Sequence, residues 1–553
     1  MSNSLKFWQI PLSKLFFYAL ILLLPFNIQW ARFTETSFYY GYHAFYNTMF
    51  LSLTDFIICG IILSWLIEIS VKYNSPSPPL SLRGGTPPLK LRGGWEGLFH
   101  SLYTRISQNI LIKSTMVFWL ILAISTLASH ETLLSFYGLG KITLFLGLFL
   151  FVSQKPVSVK LIFKLVLVGA VLQSIIAVVQ YMNQHSLGWQ FLGESVLVPM
   201  MRGIAEFPSG ETVLIRAYGT FPHPNLLGVW FFIAFLAVIW LIYAQSRQGG
   251  EVLRLPAEAS RAGWEGRGWG RVKIISHETL VAVSLILITV ALTLTFSRAI
   301  WMVTAFSLLI LLILTRFHRN KVFERMQSAQ RETGAENYHP ARIAWIIALL
   351  IISFGLNWYF FGHEIKSRIS PPREEGFGEV IPDESRENRA LFNDLAWDMA
   401  KDHPIFGLGM RNIVVALAEI PSNDGIAERF PSAFFDGRLL PYLRQPVHNI
   451  YLLVLVEAGV LGLAGFLWVL YEIIRNGWKG AKGDDAGGGP ARQSPDGSSR
   501  MAGGGLEKII LLVMFGGFLL LGFFDHYFFS LNQGGLMFWL VAGLLVARPS
   551  HMA

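Results

Sequence analysis

At 553 residues, with 53% hydrophobic and only 15% charged residues and a mean hydropathy of +0.47, the chain is too apolar for an ordinary soluble globule. The apolar residues fall in blocks of roughly 18–25, enough for a helix to cross a bilayer core of about 30 Å, so the composition describes a polytopic integral membrane protein. The single cysteine, Cys59, lies inside an apolar run, which excludes an intrachain disulfide and a cysteine-based zinc site.

In chain order, apolar blocks lie near residues 12–30, 50–69, 110–129, 133–153, 159–181, 225–244, 278–296, 299–316, 343–362, 447–474, 508–525 and 531–547. They predict an all-α polytopic fold of about twelve transmembrane helices. The first block follows Lys6 and Lys14 and has no small-residue cleavage site before Pro25, so it reads as a retained helix. With both termini in the cytoplasm, basic clusters fall on the inner side: Lys72/Arg83/Lys90/Arg92/Arg105, Arg247/Arg254/Arg261/Arg267/Arg271/Lys273, Arg316/Arg319/Lys321/Arg325 and Arg475/Lys479/Lys482/Arg492/Arg500. The short external loops are nearly free of Lys and Arg, as the positive-inside rule requires. The net charge of +9 is therefore topological, and nucleic acid is not an expected partner.

Three domains are expected: residues 1–362 with nine spans, an external loop at 363–446, and residues 447–553 with three more spans. Cytoplasmic low-complexity insertions fall near 74–100 and 246–272, and a disordered cytoplasmic loop near 479–505. Pro78–Gly85 recurs nine residues later as Pro87–Gly94, and Gly94-Trp95-Glu96-Gly97 returns as Gly263-Trp264-Glu265-Gly266. Pro/Gly-rich repeats of this kind cannot bury a core, and no function is assigned to them. The external segment 363–446 carries 14 Asp/Glu against 10 Lys/Arg and its own helical pattern. From Glu387 to Asp402, Leu391, Leu395 and Met399 with Phe392 and Ala396 form one apolar face, and Pro404 forbids continuation. A second short helix should follow the Gly407-Leu408-Gly409 turn and stop before Pro421. The segment therefore reads as a small helical cap between the ninth and tenth spans.

Ionisable residues at the external ends of helices carry the chemistry. Arg216 precedes Gly219 and His223-Pro224-Asn225; Ser297-Arg298 opens a helix; His448-Asn449 lies where the long polar loop re-enters an apolar helix. An arginine near hydrocarbon costs about 2.5–3.5 kcal/mol on insertion scales, so such residues usually have a partner or a task. A guanidinium forks onto diphosphate oxygens, and a histidine with a pKa near 6.5 can take a proton at neutral pH. The plainer readings are a snorkelling anchor for Arg298, a solvated loop charge for Arg216 and a structural hydrogen-bonder for His448. His223, bracketed by Pro222 and Pro224, reads first as a structural turn, and Arg389 as a further phosphate ligand from the loop. Asp394, Asp398 and Asp402 recur every four residues on the predicted loop helix and read as a solvated face.

The segments Arg216…His223-Pro224-Asn225, Ser297-Arg298, Asp402-His403-Pro404…Gly407…Gly409, His448-Asn449…Tyr451-Leu452 and Glu457…Gly459…Gly462, in this order, resemble the O-antigen ligase/polymerase superfamily. The resemblance covers roughly residues 110–475. It implies an all-helical membrane fold of the GT-C type in the bacterial cytoplasmic membrane, with the site on the external face. It implies transfer of an oligosaccharide from undecaprenyl diphosphate to a sugar hydroxyl of a glycan or glycolipid, in an inverting reaction without metal or other cofactor. By resemblance, Arg216 and Arg298 bind the lipid diphosphate and His448 serves the acceptor hydroxyl, with Arg389 and His223 as secondary candidates. Ligase and polymerase are not distinguished. The alternative is a transporter or flippase of lipid-linked saccharides, against which stands the large external loop after span nine with no counterpart in the first half.

Overall fold

The computed structural model describes residues 11–39, 42–74, 109–155, 157–201, 203–209, 212–245, 277–329, 340–369, 384–419, 425–436, 438–482 and 501–547. The repeat-bearing insertions and residues 483–500 lie outside them; the two ends of the expected 479–505 loop, residues 479–482 and 501–505, are helical. The described residues are mostly helical, and helix occupies each of the twelve apolar blocks. In chain order these are α1 (Leu12–Leu23), α2 (Leu53–Asn74), α3 (Ile110–Leu127), α4 (Thr132–Gln154), α5 (Val159–Asn183), α6 (Pro224–Gln245), α7 (His277–Leu294), α8 (Arg298–Ala329) and α9 (Pro340–Ile369). After them come α10 (Glu384–Asp402), α11 (Ile413–Glu419), α12 (Ile426–Arg429), α13 (Ile450–Lys482), α14 (Met501–Leu521), α15 (Tyr527–Ser530) and α16 (Asn532–Val546). Among the described residues, seven helices are long and apolar enough to cross a membrane, and three more, Leu12–Leu23, Thr279–Leu294 and Asn532–Val546, are apolar but shorter.

Helix α6 is the buried axis. Its sequence is apolar on all sides, and 89% of its apolar window is buried, as expected of a helix surrounded by others. It packs on α5, α7 and α14, while α13 packs on α3, α14 and α16, and α14 on α8. The predicted loop helix forms as α10. Leu391, Phe392, Leu395, Ala396 and Met399 are all buried, and the helix packs on α13. The second predicted short helix is α11. Beyond the helical expectation, four small antiparallel ribbons decorate the loops: Gln29–Arg32 with Met49–Ser52, Phe38–Tyr39 with Tyr42–His43, Glu206–Ser209 with Thr212–Ile215, and Phe434–Phe435 with Arg438–Leu439. Ladders of two to four residues are too short to leave an alternating signature in sequence.

The loops at one end of the bundle touch one another. Thr220 Oγ1 donates to the Pro25 carbonyl (2.6 Å), Arg411 donates to the carbonyls of Tyr46 (2.8 Å) and Ser530 (3.1 Å), and Glu131 N donates to Asn412 Oδ1 (2.9 Å). The tightest junction involves a broken helix. Gly459 interrupts α13 with φ +68° and ψ −172°, a conformation open in practice only to glycine. The break leaves the carbonyls of Val456 and Glu457 without helical partners. Leu408 N donates to Val456 O and Gly409 N to Glu457 O, both at 2.9 Å, and Ser125 Oγ also donates to Glu457 O (2.8 Å). Val460 N in turn donates to Pro404 O at 2.8 Å. Thus the Pro404–Gly409 turn is stitched into the gap.

No side chain fits at this junction. A Cβ on Gly459 would stand 2.1 Å from the Ile405 carbonyl oxygen, and one on Gly407 2.4 Å from the Glu457 carbonyl carbon. Gly459→Ala should therefore destabilise the protein by about 3 kcal/mol or more, through strain and displacement of the turn. Gly140→Ala, on α4 with open space around its Cβ, should be neutral or slightly stabilising. Thermal unfolding of both variants in detergent checks this; equal melting temperatures would refute it.

Candidate functional site

The site begins at the tight turn between α7 and α8. Phe296 is fully buried with φ +44°, a left-handed conformation unusual for an aromatic residue. Its ring packs on Phe207 at 4.2 Å between centroids and also meets Tyr181 and Trp301, which holds the strained residue in place. The turn offers two carbonyls, and each takes an arginine. Arg216 Nε donates to Thr295 O at 2.6 Å and Arg368 Nε to Phe296 O at 3.0 Å. Arg298 is the first residue of α8, two positions on. One turn thus gathers guanidinium groups from three distant parts of the chain, beside a helix N-terminus that itself favours anions.

Arg216 follows the Glu206–Ser209/Thr212–Ile215 hairpin and is buried. Its Nη2 donates to Asn225 Oδ1 (2.6 Å), and Asn225 Nδ2 donates to Asp525 Oδ2 (2.9 Å). Burial, with Arg368 nearby, lowers the Arg216 pKa to about 9, which leaves it charged at neutral pH. His223 accepts the backbone N–H of Asn225 on its Nδ1 (3.1 Å) and its ring packs on Tyr527, so it serves as a turn-forming residue at the start of α6. Burial depresses its pKa well below 6.5.

His448 lies just before α13. Asn449 caps that helix by accepting from Tyr451 N (2.9 Å) and Leu452 N (3.1 Å), and Ile450 N donates to Gly522 O (2.8 Å). The last bond ties the start of α13 to the end of α14, which brings Asp525 and His526 beside His448. Phe392 of α10 stacks on the His448 ring, with centroids 5.7 Å apart and planes 18° from parallel. Burial, and then the charge of Arg389, lowers the His448 pKa to about 4, so the imidazole is neutral at pH 7 and able to accept a proton. Asp525 is pushed up to about 7 by burial, opposed by the Asn225 hydrogen bond and by Arg389.

All five sequence-predicted residues, Arg216, His223, Arg298, Arg389 and His448, line one cavity of about 660 Å³. That volume lies within the ~300–1,000 Å³ of typical small-molecule sites. Arg368, Asn225, Asp525 and Tyr527 share its wall, and so do the apolar residues Val229, Ile300, Met302 and Leu521. Sequence reasoning missed Arg368, which lies beyond the ninth apolar block on the last turn of α9, and Asp525-His526, a polar pair set between two apolar helices. By contrast, Asp394 pairs with Arg429 (2.6 Å) and Asp398 with Lys401 (2.7 Å), so both carboxylates are used in ion pairs away from the cavity wall. Four arginines against one aspartate make the cavity a trap for an anion.

Residues 283–467 match the model of the family described as O-antigen ligase. Over this stretch the chain is similar to that family. The matched stretch holds Arg298, Arg368, Arg389, His448 and the Gly459 break; Arg216 and Asp525 lie on either side of it. No curated protein matches the chain. Apolar helices and the family match together describe a membrane glycosyltransferase-type enzyme.

The pKa of His448 is open to direct measurement. Diethylpyrocarbonate attacks only neutral imidazole, so modification of His448, read by peptide mass mapping, should persist to well below pH 6 in the wild type. Arg389→Gln removes the lesser of the two depressing causes and should move the midpoint partway back toward 6.5. A wild-type midpoint near 6.5 would show that His448 is solvated and outside the field of Arg389.

Proposed function

We propose that the protein transfers an oligosaccharide from undecaprenyl diphosphate to a sugar hydroxyl of a second glycan or glycolipid. The observation that carries this reading is the meeting of Arg216, Arg298, Arg368 and Arg389 with the neutral His448 in one cavity. The guanidinium groups hold the diphosphate, and the apolar wall of Val229, Ile300, Met302 and Leu521 is suited to the first carbons of a polyprenyl chain. The acceptor oxygen attacks the anomeric carbon, and the bond from that carbon to the diphosphate oxygen breaks on the opposite face, so configuration inverts. His448 takes the hydroxyl proton. Negative charge accumulates on the departing diphosphate, where fixed cations stabilise it more in the transition state than in the ground state. Asp525, wired through Asn225 to Arg216 and with a donor atom within 4.8 Å of one on His448, balances the charge of the imidazole when it is protonated.

In this reading the cavity end of the bundle faces outward in the bacterial cytoplasmic membrane, twelve helices span the bilayer, and α10, which packs on α13, covers the site. In a background lacking Cys59, an impermeant thiol reagent applied to whole cells or spheroplasts should label Ser432→Cys and leave Lys479→Cys unlabelled. The reverse pattern would put the site in the wrong compartment.

The reaction is tested with purified protein, synthetic lipid-linked donors and a panel of acceptors. Arg216→Ala and Arg298→Ala should each weaken donor binding and slow transfer, since each removes charge-assisted contacts of roughly 1.5–3 kcal/mol. Lysine at Arg298 should rescue only in part, because an ammonium keeps the charge but loses the fork. His448→Ala should slow transfer by about 10²–10⁴ while leaving donor affinity near normal. Normal turnover in a less stable His448→Ala protein would show that the histidine is structural. Activity is expected to survive exhaustive EDTA treatment, because the proposed chemistry assigns no step to a metal ion.

A further inference from the structure

Beside the cavity, three potential metal ligands converge. His448, Asp525 and His526 each offer one donor atom, and these atoms all lie within 4.8 Å of one another. Among the described residues this is the group with metal-binding spacing. Ser530 Oγ hydrogen-bonds both the His526 carbonyl (3.1 Å) and His526 Nδ1, so that ring nitrogen is engaged. Nε2, the other ring nitrogen, is buried without a hydrogen-bond partner. His448 Nδ1 is likewise buried without a partner. A buried polar atom without a partner is costly, and two such ring nitrogens beside one carboxylate call for a ligand.

We infer that His448, Asp525 and His526 form a binding site for a divalent transition ion of the Zn²⁺ class. Two imidazoles and one carboxylate match the donor preference of zinc, whereas magnesium and calcium prefer oxygen ligands alone. The hydrogen bond between His526 Nδ1 and Ser530 Oγ is the outer contact that zinc-binding histidines commonly make through their second nitrogen. His448 and Asp525 line the cavity, so a fourth position remains for water or a substrate oxygen. Arg216 and Arg389 act on this group electrostatically and oppose a cation, which argues for a reversible ion over a permanently held one. An ion there takes a lone pair of His448. In the proposed transfer it would act as an off-switch, although the binding site itself does not depend on that reading.

The test uses the full chain, free of any histidine tag and stripped with EDTA. On titration with Zn²⁺, plasma mass spectrometry should find one retained ion per chain, and the wild-type X-ray absorption edge should show two imidazoles and one or two oxygens near 2.0–2.1 Å. His526→Gln and Asp525→Asn should each weaken retention at least tenfold. Zn²⁺ should also inhibit transfer in the wild type, with inhibition in His526→Gln, scaled to that variant's own metal-free rate, shifted to at least tenfold higher zinc. Retention unchanged in both variants, or a wild-type absorption spectrum without imidazole scattering, would overturn the site even if a variant folded poorly. Metal retained as expected in a protein without transferase activity would instead leave the site standing and remove the proposed function.

Discussion

The architecture of the site depends on a helix that is broken where it would otherwise be buried. At Gly459 the backbone leaves the α13 path and exposes the carbonyls of Val456 and Glu457. In a membrane protein such groups must find donors within the protein, because hydrocarbon supplies none. The donors come from Leu408, Gly409 and Ser125. Satisfying two orphaned carbonyls thus fastens the long polar segment to the bundle. The same fastening sets α10 over the start of α13, with Phe392 against His448 and Arg389 in the cavity wall. Glycine is needed on both sides, since Gly407 and Gly459 pack backbone against backbone.

Much of this was legible in the sequence, for reasons that differ by residue. The twelve helical blocks follow from runs of apolar residues, and α10 from the spacing of Leu391, Leu395 and Met399. Arg216, Arg298 and His448 stand out because ionisable groups at the ends of apolar helices are expensive to place without a partner. The pairing of the Gly407/Gly409 turn with the Gly459 break was visible only as two motifs; that one fills the gap in the other needs coordinates. Asp525 was illegible because a carboxylate between two apolar helices has the same pattern as any interfacial charge. Its nearness to His448 rests on the Ile450–Gly522 hydrogen bond, which no periodicity encodes. His223 shows the opposite case: the prolines around it announced a turn, and the ring does accept the Asn225 amide.

Burial sorts the ionisable groups into complementary states. The same low-dielectric surroundings that keep His448 neutral hold a proton on Asp525 up to about pH 7. At neutral pH the imidazole is therefore unprotonated while the carboxyl is near its midpoint. Arg216 stays charged at neutral pH, and in Arg216 and Arg368 the guanidinium is clamped by a main-chain carbonyl of the α7–α8 turn.

The strained Phe296 has a bearing on selectivity. A turn locked by three aromatic neighbours is no hinge, so its carbonyls hold their guanidinium groups in the same place whether or not a ligand is present. In the proposed transfer, a rigid end of this kind would recognise what every donor shares, the diphosphate, at little ordering cost on each encounter. Asn388, Phe392 and Gln445 reach the same cavity from the segment between α9 and α13, together with Arg389, so in the proposed transfer contacts to the glycan could drift there while the clamped turn stays fixed.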